Sequence, residues 1–412
     1  MDDSGKAGAF SPQQVTFLLS ARGREALAQV ASPELAQADP VTQVSRLRRS
    51  FSPAETSALL TLARLRERAA RKFPQAHRLF FTPEALEQAT AFPVALHRAQ
   101  EIHRRSPPGP VLDLGCGIGG DTLALARFRP VIAYERDPVR LALAQANVQA
   151  LGLADQVAFR QADWVAELDA GRLPRAAAAF GDPSRRRAGR RLFRLHQMEP
   201  PLEAFLALAE RVPLLAVKVA PGVSESELPR QCRVEFVGHQ GVCKEAVLWF
   251  GLDALVDAGP RWASVHTGRG WERISGDREP PPLGELAPGM ALHEPHPAVI
   301  RAGAFRELCR RLEAHLFDPQ IAYLVSPVAR RDPLVHSFRI REIHPFSLRR
   351  LNRRIQVLGL GALELKKRGS AVEPESLRRR LKPVPGGRPG VIFFTRQGDR
   401  RLMLIGERLA EE

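Results

Sequence analysis

Short apolar runs bounded by turn residues recur between residues 110 and 250. The run from Val111 that ends in Asp113, Val131–Tyr134, Val157–Arg160, residues 176–180 and Leu214–Val219 are each about as long as a buried strand and too short for a helix. Stretches of helical period separate them, over residues 122–127, 137–152 and 201–211. Strands alternating with helices imply a mostly parallel sheet covered on both faces. Residues 234–237 and 246–250 suggest a closing antiparallel pair, for a sheet of seven strands.

On either side the pattern changes. Residues 1–10 carry no periodicity and are expected to be disordered. From Ser11 to about Ile102 it is helical. Ser11-Pro12 and Ser52-Pro53 each set a capping residue before a proline at the first helical position, and Gln14 and Glu55 complete capping boxes. Residues 251–297 are rich in proline and glycine, with a possible hairpin at 262–274. Beyond about Val299 the chain reads helix (304–316), strands (321–325, 337–343), helix (348–358), strand (362–366), helix (376–381) and two strands (391–396, 402–406). The expected divisions are 1–105 (helical), 106–255 (α/β), 256–298 (junction) and 299–412 (α+β).

The chemistry concentrates after the first strand. Asp113 ends an apolar run, and Gly115, Gly117 and Gly119 follow at alternate positions ahead of a helix. Glycine lets the backbone turn tightly and approach a ligand with no Cβ in the way. Such a loop holds either the phosphates of a dinucleotide or the amino-acid end of S-adenosylmethionine (SAM). A carboxylate at Asp113 would repel a pyrophosphate but help fix an ammonium group. Glu135, at the end of the next strand, is placed to accept from two ribose hydroxyls. After the third strand come Asp163, placed to accept from the adenine amine, and Trp164, whose indole could cover the ring.

These residues carry a resemblance. Residues 113–119 followed by Glu135 resemble motifs I and II of class I SAM-dependent methyltransferases, and Asp163 matches the family's adenine-contacting acid. The resemblance implies a Rossmann-like core that binds SAM through Asp113, Gly115, Cys116, Gly117, Gly119, Glu135, Arg136, Asp163 and Trp164. The segment Thr82-Pro83-Glu84 resembles one that precedes motif I in trimethylguanosine synthases, and puts the Thr82 cap over the SAM pocket. A packed linker with a capped helix is the plainer alternative. Residues 345–348 and 362–369 resemble the THUMP-like domain appended to a family of bacterial SAM-dependent methyltransferases. THUMP domains bind structured RNA, so the resemblance implies a tRNA or rRNA substrate.

Charge points the same way. The 412 residues carry a formal net charge of +16, which favours a polyanionic partner. Lysine is scarce, so an arginine-rich coding bias is the bland explanation. The cysteines Cys116, Cys232, Cys243 and Cys309 form no C-x-x-C pair, and neither a zinc site nor a disulfide framework is expected. With no long apolar run and no signal peptide, a cytoplasmic protein without membrane or metal is expected.

The fourth strand ends in Asp182-Pro183-Ser184-Arg185. Amine methyltransferases carry Asn/Asp-Pro-Pro-aromatic here, the acid accepting from the target amine. Arg185 in the aromatic position departs from that pattern. A base nitrogen is the expected target. Asp182, Lys218 and Glu245 also resemble part of the Lys-Asp-Lys-Glu set of ribose 2′-O methyltransferases, with Lys72 the one upstream candidate for the first lysine. Uridine-C5 chemistry needs a cysteine after the next strand, and none is there. A SAM fold acting as a non-catalytic RNA-binding module is the alternative of another class, and an NAD(P) oxidoreductase the rival enzyme. Arg185, Arg186, Arg353, Arg354, Lys366 and Lys367 are the expected RNA contacts, through phosphates.

Overall fold

The computed structural model describes residues 10–409, apart from 185, 188–189, 192–194, 252–258 and 278; for 186–187, 190–191 and 196 it describes the backbone only. The first nine residues, expected to be disordered, lie outside the described residues. The chain forms two compact units. Among the described residues, the first takes in the chain through Val219, Val223–Gln231 and 248–251. The second takes in Ala220–Gly222, Cys232–Val247 and the chain from Gly259 onward.

The first unit opens on helices α1 (Pro12–Leu19), α2 (Ala21–Val30), α3 (Pro33–Ala36), α4 (Pro40–Leu47), α5 (Pro53–Ala69), α6 (Pro83–Gln88) and α7 (Phe92–Arg105). Both capping boxes are present: Ser11 with Gln14 on α1 and Ser52 with Glu55 on α5. One hydrophobic cluster runs from Leu18 and Leu59 through Phe73, Phe80 and Phe81 to Ile118, Leu123, Leu143 and Val148. The N-terminal helices therefore share a core with the α/β layer that follows them.

That layer alternates β1 (Val111–Leu114), α8 (Gly120–Leu125), β2 (Val131–Tyr134), α9 (Pro138–Ala150), β3 (Val157–Arg160), α10 (Trp164–Asp169) and β4 (Ala178–Gly181). A two-stranded ribbon, β5 (Arg186–Arg187) and β6 (Arg190–Arg191), then leads to α11 (Leu202–Ala209) and β7 (Leu214–Val219). Five strands lie in the order β7-β4-β1-β2-β3, all parallel. Their burial follows from their apolar runs: every residue of β1, β4 and β7 is buried. Leu114 pairs with both Tyr134 and Gly181, and Gly181 with Val217. The register thus brings the next residues, Gly115, Glu135, Asp182 and Lys218, to one edge of the sheet. In parallel α/β sheets that carboxyl edge is where ligands bind.

The second unit contains β8 (Arg233–His239), part of β9 (Val242–Gly251), β10 (Arg261–His266) and β11 (Trp271–Ser275). β10 pairs parallel with β8 and forms a hairpin with β11, as the hairpin pattern at 262–274 anticipated. After β12 (Ala291–Pro295) come α12 (Pro297–Ala302), α13 (Phe305–Leu312), β13 (His315–Leu316), β14 (Leu324–Ser326) and β15 (Val335–Pro345). The chain closes with α14 (Leu348–Val357), β16 (Leu360–Lys367), α15 (Pro374–Arg378), β17 (Arg388–Gln397) and β18 (Arg400–Arg408). This mostly antiparallel sheet has the order β13-β14-β12-β15-β18-β17-β16. Strand β12 joins it from Ala291, earlier than the expected division at 299, a five-residue strand hidden among prolines that sits between β14 and β15. The helix expected to reach 316 stops at Leu312, where Glu313 turns left-handed (φ 48°).

Candidate functional site

A cavity of about 260 Å³ opens in the first unit where Asp113, the glycine loop, Asp182 and Lys218 converge. Its far wall is α6 and the turn after it, including Glu84, Glu87 and Thr90. Gly115 (φ 81°) and Gly117 (φ 57°) are left-handed, and a Cβ on either would meet no atom within 4 Å, so the loop faces open space. Gly119 works differently: a Cβ there would come within 3.4 Å of Ala144, so this glycine lets the loop pack on α9.

The acids are held by specific partners. Asp113 is 1 % exposed and accepts from the Thr122 hydroxyl at 2.5 Å. Burial, reinforced by the neighbouring Asp121 carboxylate, raises its pKa to about 7. Asp121 in turn pairs with Arg98, whose guanidinium lies 4.3 Å from the centre of the Phe180 ring. Glu135 uses one oxygen to accept from the Gly117 amide and the other from the Asp137 amide, both at 2.9 Å. Each carboxylate oxygen can accept twice, so these bonds leave capacity for hydroxyl donors. Cys116 is buried, which pushes its thiol pKa well up.

At the other end, the Lys218 ammonium donates to Asp182 Oδ2 at 2.5 Å and to the Thr90 hydroxyl at 2.9 Å. The lysine side chain is 5 % exposed and that of Asp182 29 %. Pro183 lines the same cavity. Glu245 is buried on β9, in the second unit.

Several expected site residues lie elsewhere among the described residues. Thr82 caps α6, its hydroxyl accepting from the Ala85 amide at 3.2 Å, while α6 itself lines the cavity. Asp163 is exposed and caps α10 by accepting from the Val165 amide. Trp164 does not line the cavity; its ring is 4 % exposed and packs 5.0 Å from that of Phe205. Arg136 points to Glu199 at 3.1 Å. Arg185 lies outside the described residues, and of Arg186 only the backbone is described. Lys72 serves α6: its ammonium donates to the carbonyls of Leu86, Glu87 and Ala89, closing the C-terminal end of the helix.

Sequence reasoning missed Thr90 and Asn147. Asn147 is 1 % exposed on α9, bonded to both Phe80 backbone groups and to the Ile118 carbonyl, and so ties the segment before α6 to the glycine loop. Its signal was a polar residue on an apolar helix face. Thr90 had none.

Comparison with known proteins decides what the loop belongs to. Two uncharacterised S-adenosylmethionine-dependent methyltransferases from Mycobacterium tuberculosis strains are 37 % identical to this chain over 322 residues, covering 77 % of it and 85 % of them. The chain belongs to the S-adenosylmethionine-dependent methyltransferases. Residues 109–183 of the methyltransferase match the RNA cap guanine-N2 methyltransferase family, 335–408 the THUMP domain-like family, and 11–69 a domain of unknown function. Trimethylguanosine synthase of Schizosaccharomyces pombe is 34 % identical over 71 residues, 17 % of this methyltransferase and 30 % of that protein. A crystal structure described as a methyltransferase from Porphyromonas gingivalis W83 shares the fold, with a TM-score of 0.75 at 20 % identity, covering 94 % of this chain and 99 % of that one.

SAM is therefore the enzyme's cofactor, and the cavity suits it. Glu84, Glu87, Asp113, Asp121 and Asp182 line it against Arg140 and Lys218, an excess of carboxylate that fits an ammonium and a sulfonium and opposes a pyrophosphate. Among the described residues no helix is long and apolar enough to cross a membrane, and no group of His, Cys, Asp or Glu could hold a metal ion.

Proposed function

We propose that the methyltransferase acts on structured RNA and transfers the methyl group to a base nitrogen, with Asp182 as the residue that receives the target amine. The observation that carries this is the placement of Asp182: it ends β4 in the cofactor cavity, with Oδ2 held by Lys218 and Oδ1 without a partner among the described residues. An amine N–H donating to Oδ1 would have its nitrogen lone pair turned into the cavity. Lys218, anchored by Thr90, fixes the orientation of Asp182. SAM, when bound, supplies the electrophilic methyl group. The amine proton is lost to Asp182 Oδ1 or to water as the new N–C bond forms. Asp113 would hold the cofactor's ammonium, and Glu135 its ribose.

Support for RNA comes from the match of 109–183 to a guanine-N2 methyltransferase family, the THUMP-like match and the charge of +16. A second reading, ribose 2′-O methylation, draws on the Lys218–Asp182 pair, since an ammonium stabilises a developing alkoxide. It lacks its first lysine: Lys72 is occupied with α6. Incubating the enzyme with methyl-labelled SAM and total RNA from a deletion strain, then digesting to nucleosides, separates the two. Label on a base nitrogen is expected. Label on ribose would establish the second reading, and label confined to a protein fraction would overturn the RNA substrate.

A further inference from the structure

On the second unit, α14 lies beside β15 and walls a cavity of about 470 Å³ with Arg341, Glu342, His344, Arg350, Arg353 and Arg354. A second concavity, of about 250 Å³, shares Arg341 and Glu342 and adds Arg388 and Glu407. We propose that these two concavities form one groove that clamps the sugar–phosphate backbone of the RNA substrate. The proposal rests on the RNA reading above and names the residues that would hold that substrate.

Charge and fixation both favour a chain of phosphates. Five arginines face two glutamates across the groove. Glu342 accepts from Arg354 Nε and from His344, each at 2.8 Å, and Glu407 from Arg341 at 2.6 Å. Arg388 is anchored by donating to the Leu358 carbonyl at 2.9 Å. Arg341, Arg354 and Arg388 are thus pre-oriented, which lowers the entropy lost on binding. Arg350 and Arg353 are exposed and have no acidic partner among the described residues. They project from the same helix three residues apart, on neighbouring positions of one face. A guanidinium fork matches phosphate oxygens bidentately. Apart from His344 no aromatic ring lines either concavity, so backbone contact rather than base stacking is the fit.

The groove replaces the lysines expected from sequence. Lys366 donates to Glu294 at 2.6 Å and lies 3.2 Å from Glu364, with its ammonium over the Phe338 ring; Lys367 pairs with Glu373. Those lysines serve intramolecular pairs and line neither concavity.

The test uses the full-length enzyme and fluorescently labelled total tRNA as probe, with anisotropy measured over a range of salt. Arg350→Ala with Arg353→Ala should bind roughly tenfold more weakly at low salt, and its log–log salt slope should fall by roughly two, about one for each lost phosphate contact. Lys367→Ala should match wild type, and SAM affinity of both variants, read by calorimetry, should be unchanged. If the double variant keeps wild-type affinity and slope while wild type binds tRNA, the groove is not the clamp and the RNA reading stands. Equal weakening by Lys367→Ala would mean a diffuse positive field, which also overturns the groove. If wild type shows no salt-dependent tRNA binding, the RNA reading itself fails.

Discussion

The Lys218–Asp182 pair makes an asymmetric prediction. The lysine side chain is 5 % exposed, whereas that of Asp182 is 29 % exposed. Asp182→Asn leaves a buried ammonium with a neutral partner and the Thr90 hydroxyl. Breaking a buried pair in this way costs about 3–5 kcal/mol. Lys218→Met leaves a carboxylate that water already reaches and fills the lysine stem with apolar volume. Its cost is one charge-assisted hydrogen bond less the packing regained, about 1–2 kcal/mol. Urea unfolding at pH 7.5 should rank Asp182→Asn as the less stable of the two. The double substitution should resemble Lys218→Met alone. Finding Asp182→Asn as stable as Lys218→Met at pH 7.5 would refute the buried-cation account. In methyl-transfer assays Asp182→Asn should lose roughly 100-fold or more.

Two further outcomes concern the cofactor cavity. Asp113 has a folded-state pKa of about 7 against an ordinary 3.8, so the native state holds this proton more tightly than the unfolded chain. Its stabilising contribution is present below about pH 4 and lost as pH rises towards 7; stability of wild type relative to Asp113→Asn, followed by denaturant titration, should fall across that window. If the ionised form holds the SAM ammonium, SAM affinity measured calorimetrically should rise over the same range in wild type and stay flat in Asp113→Asn. Glu135→Ala deprives the Gly117 and Asp137 amides of their acceptor, at about 1–3 kcal/mol for each amide left buried. A thermal melt should show the destabilisation, calorimetry a weaker SAM complex, and Glu135→Gln a partial recovery of both.

What was legible in the sequence was what neighbours in the chain decide. Strand ends followed by glycine or acid announced the loop, Glu135 and Asp182, because one register aligns all the carboxyl ends of a parallel sheet. The caps at Ser11 and Ser52 were legible for the same reason, each bond spanning only three residues. Long-range partners were not. Trp164 follows a strand end as a ring cover would, yet the apolar face of α11 offers it a ring of its own. Lys366 and Lys367 read as an exposed basic run until β12 brought Glu294 across the sheet to one of them. Lys72 sits far from the carbonyls it caps in sequence, and Thr90 carries no pattern at all before Lys218 reaches it.

The far wall of the cavity has an evolutionary consequence. Residues 109–183, which match a family of methyltransferases, contain every glycine and acid of the loop but neither α6 nor Thr90. Those come from a helical segment that precedes the sheet, is hooked down by Lys72 and Asn147, and presents Thr90 to Lys218. A shortened descendant that discarded this segment would keep its recognisable signature and lose the partner that steadies its lysine. The N-terminal helices are thus no dispensable ornament on a movable catalytic module: gene fusion or fission at residue 109 would divide one pocket between two polypeptides.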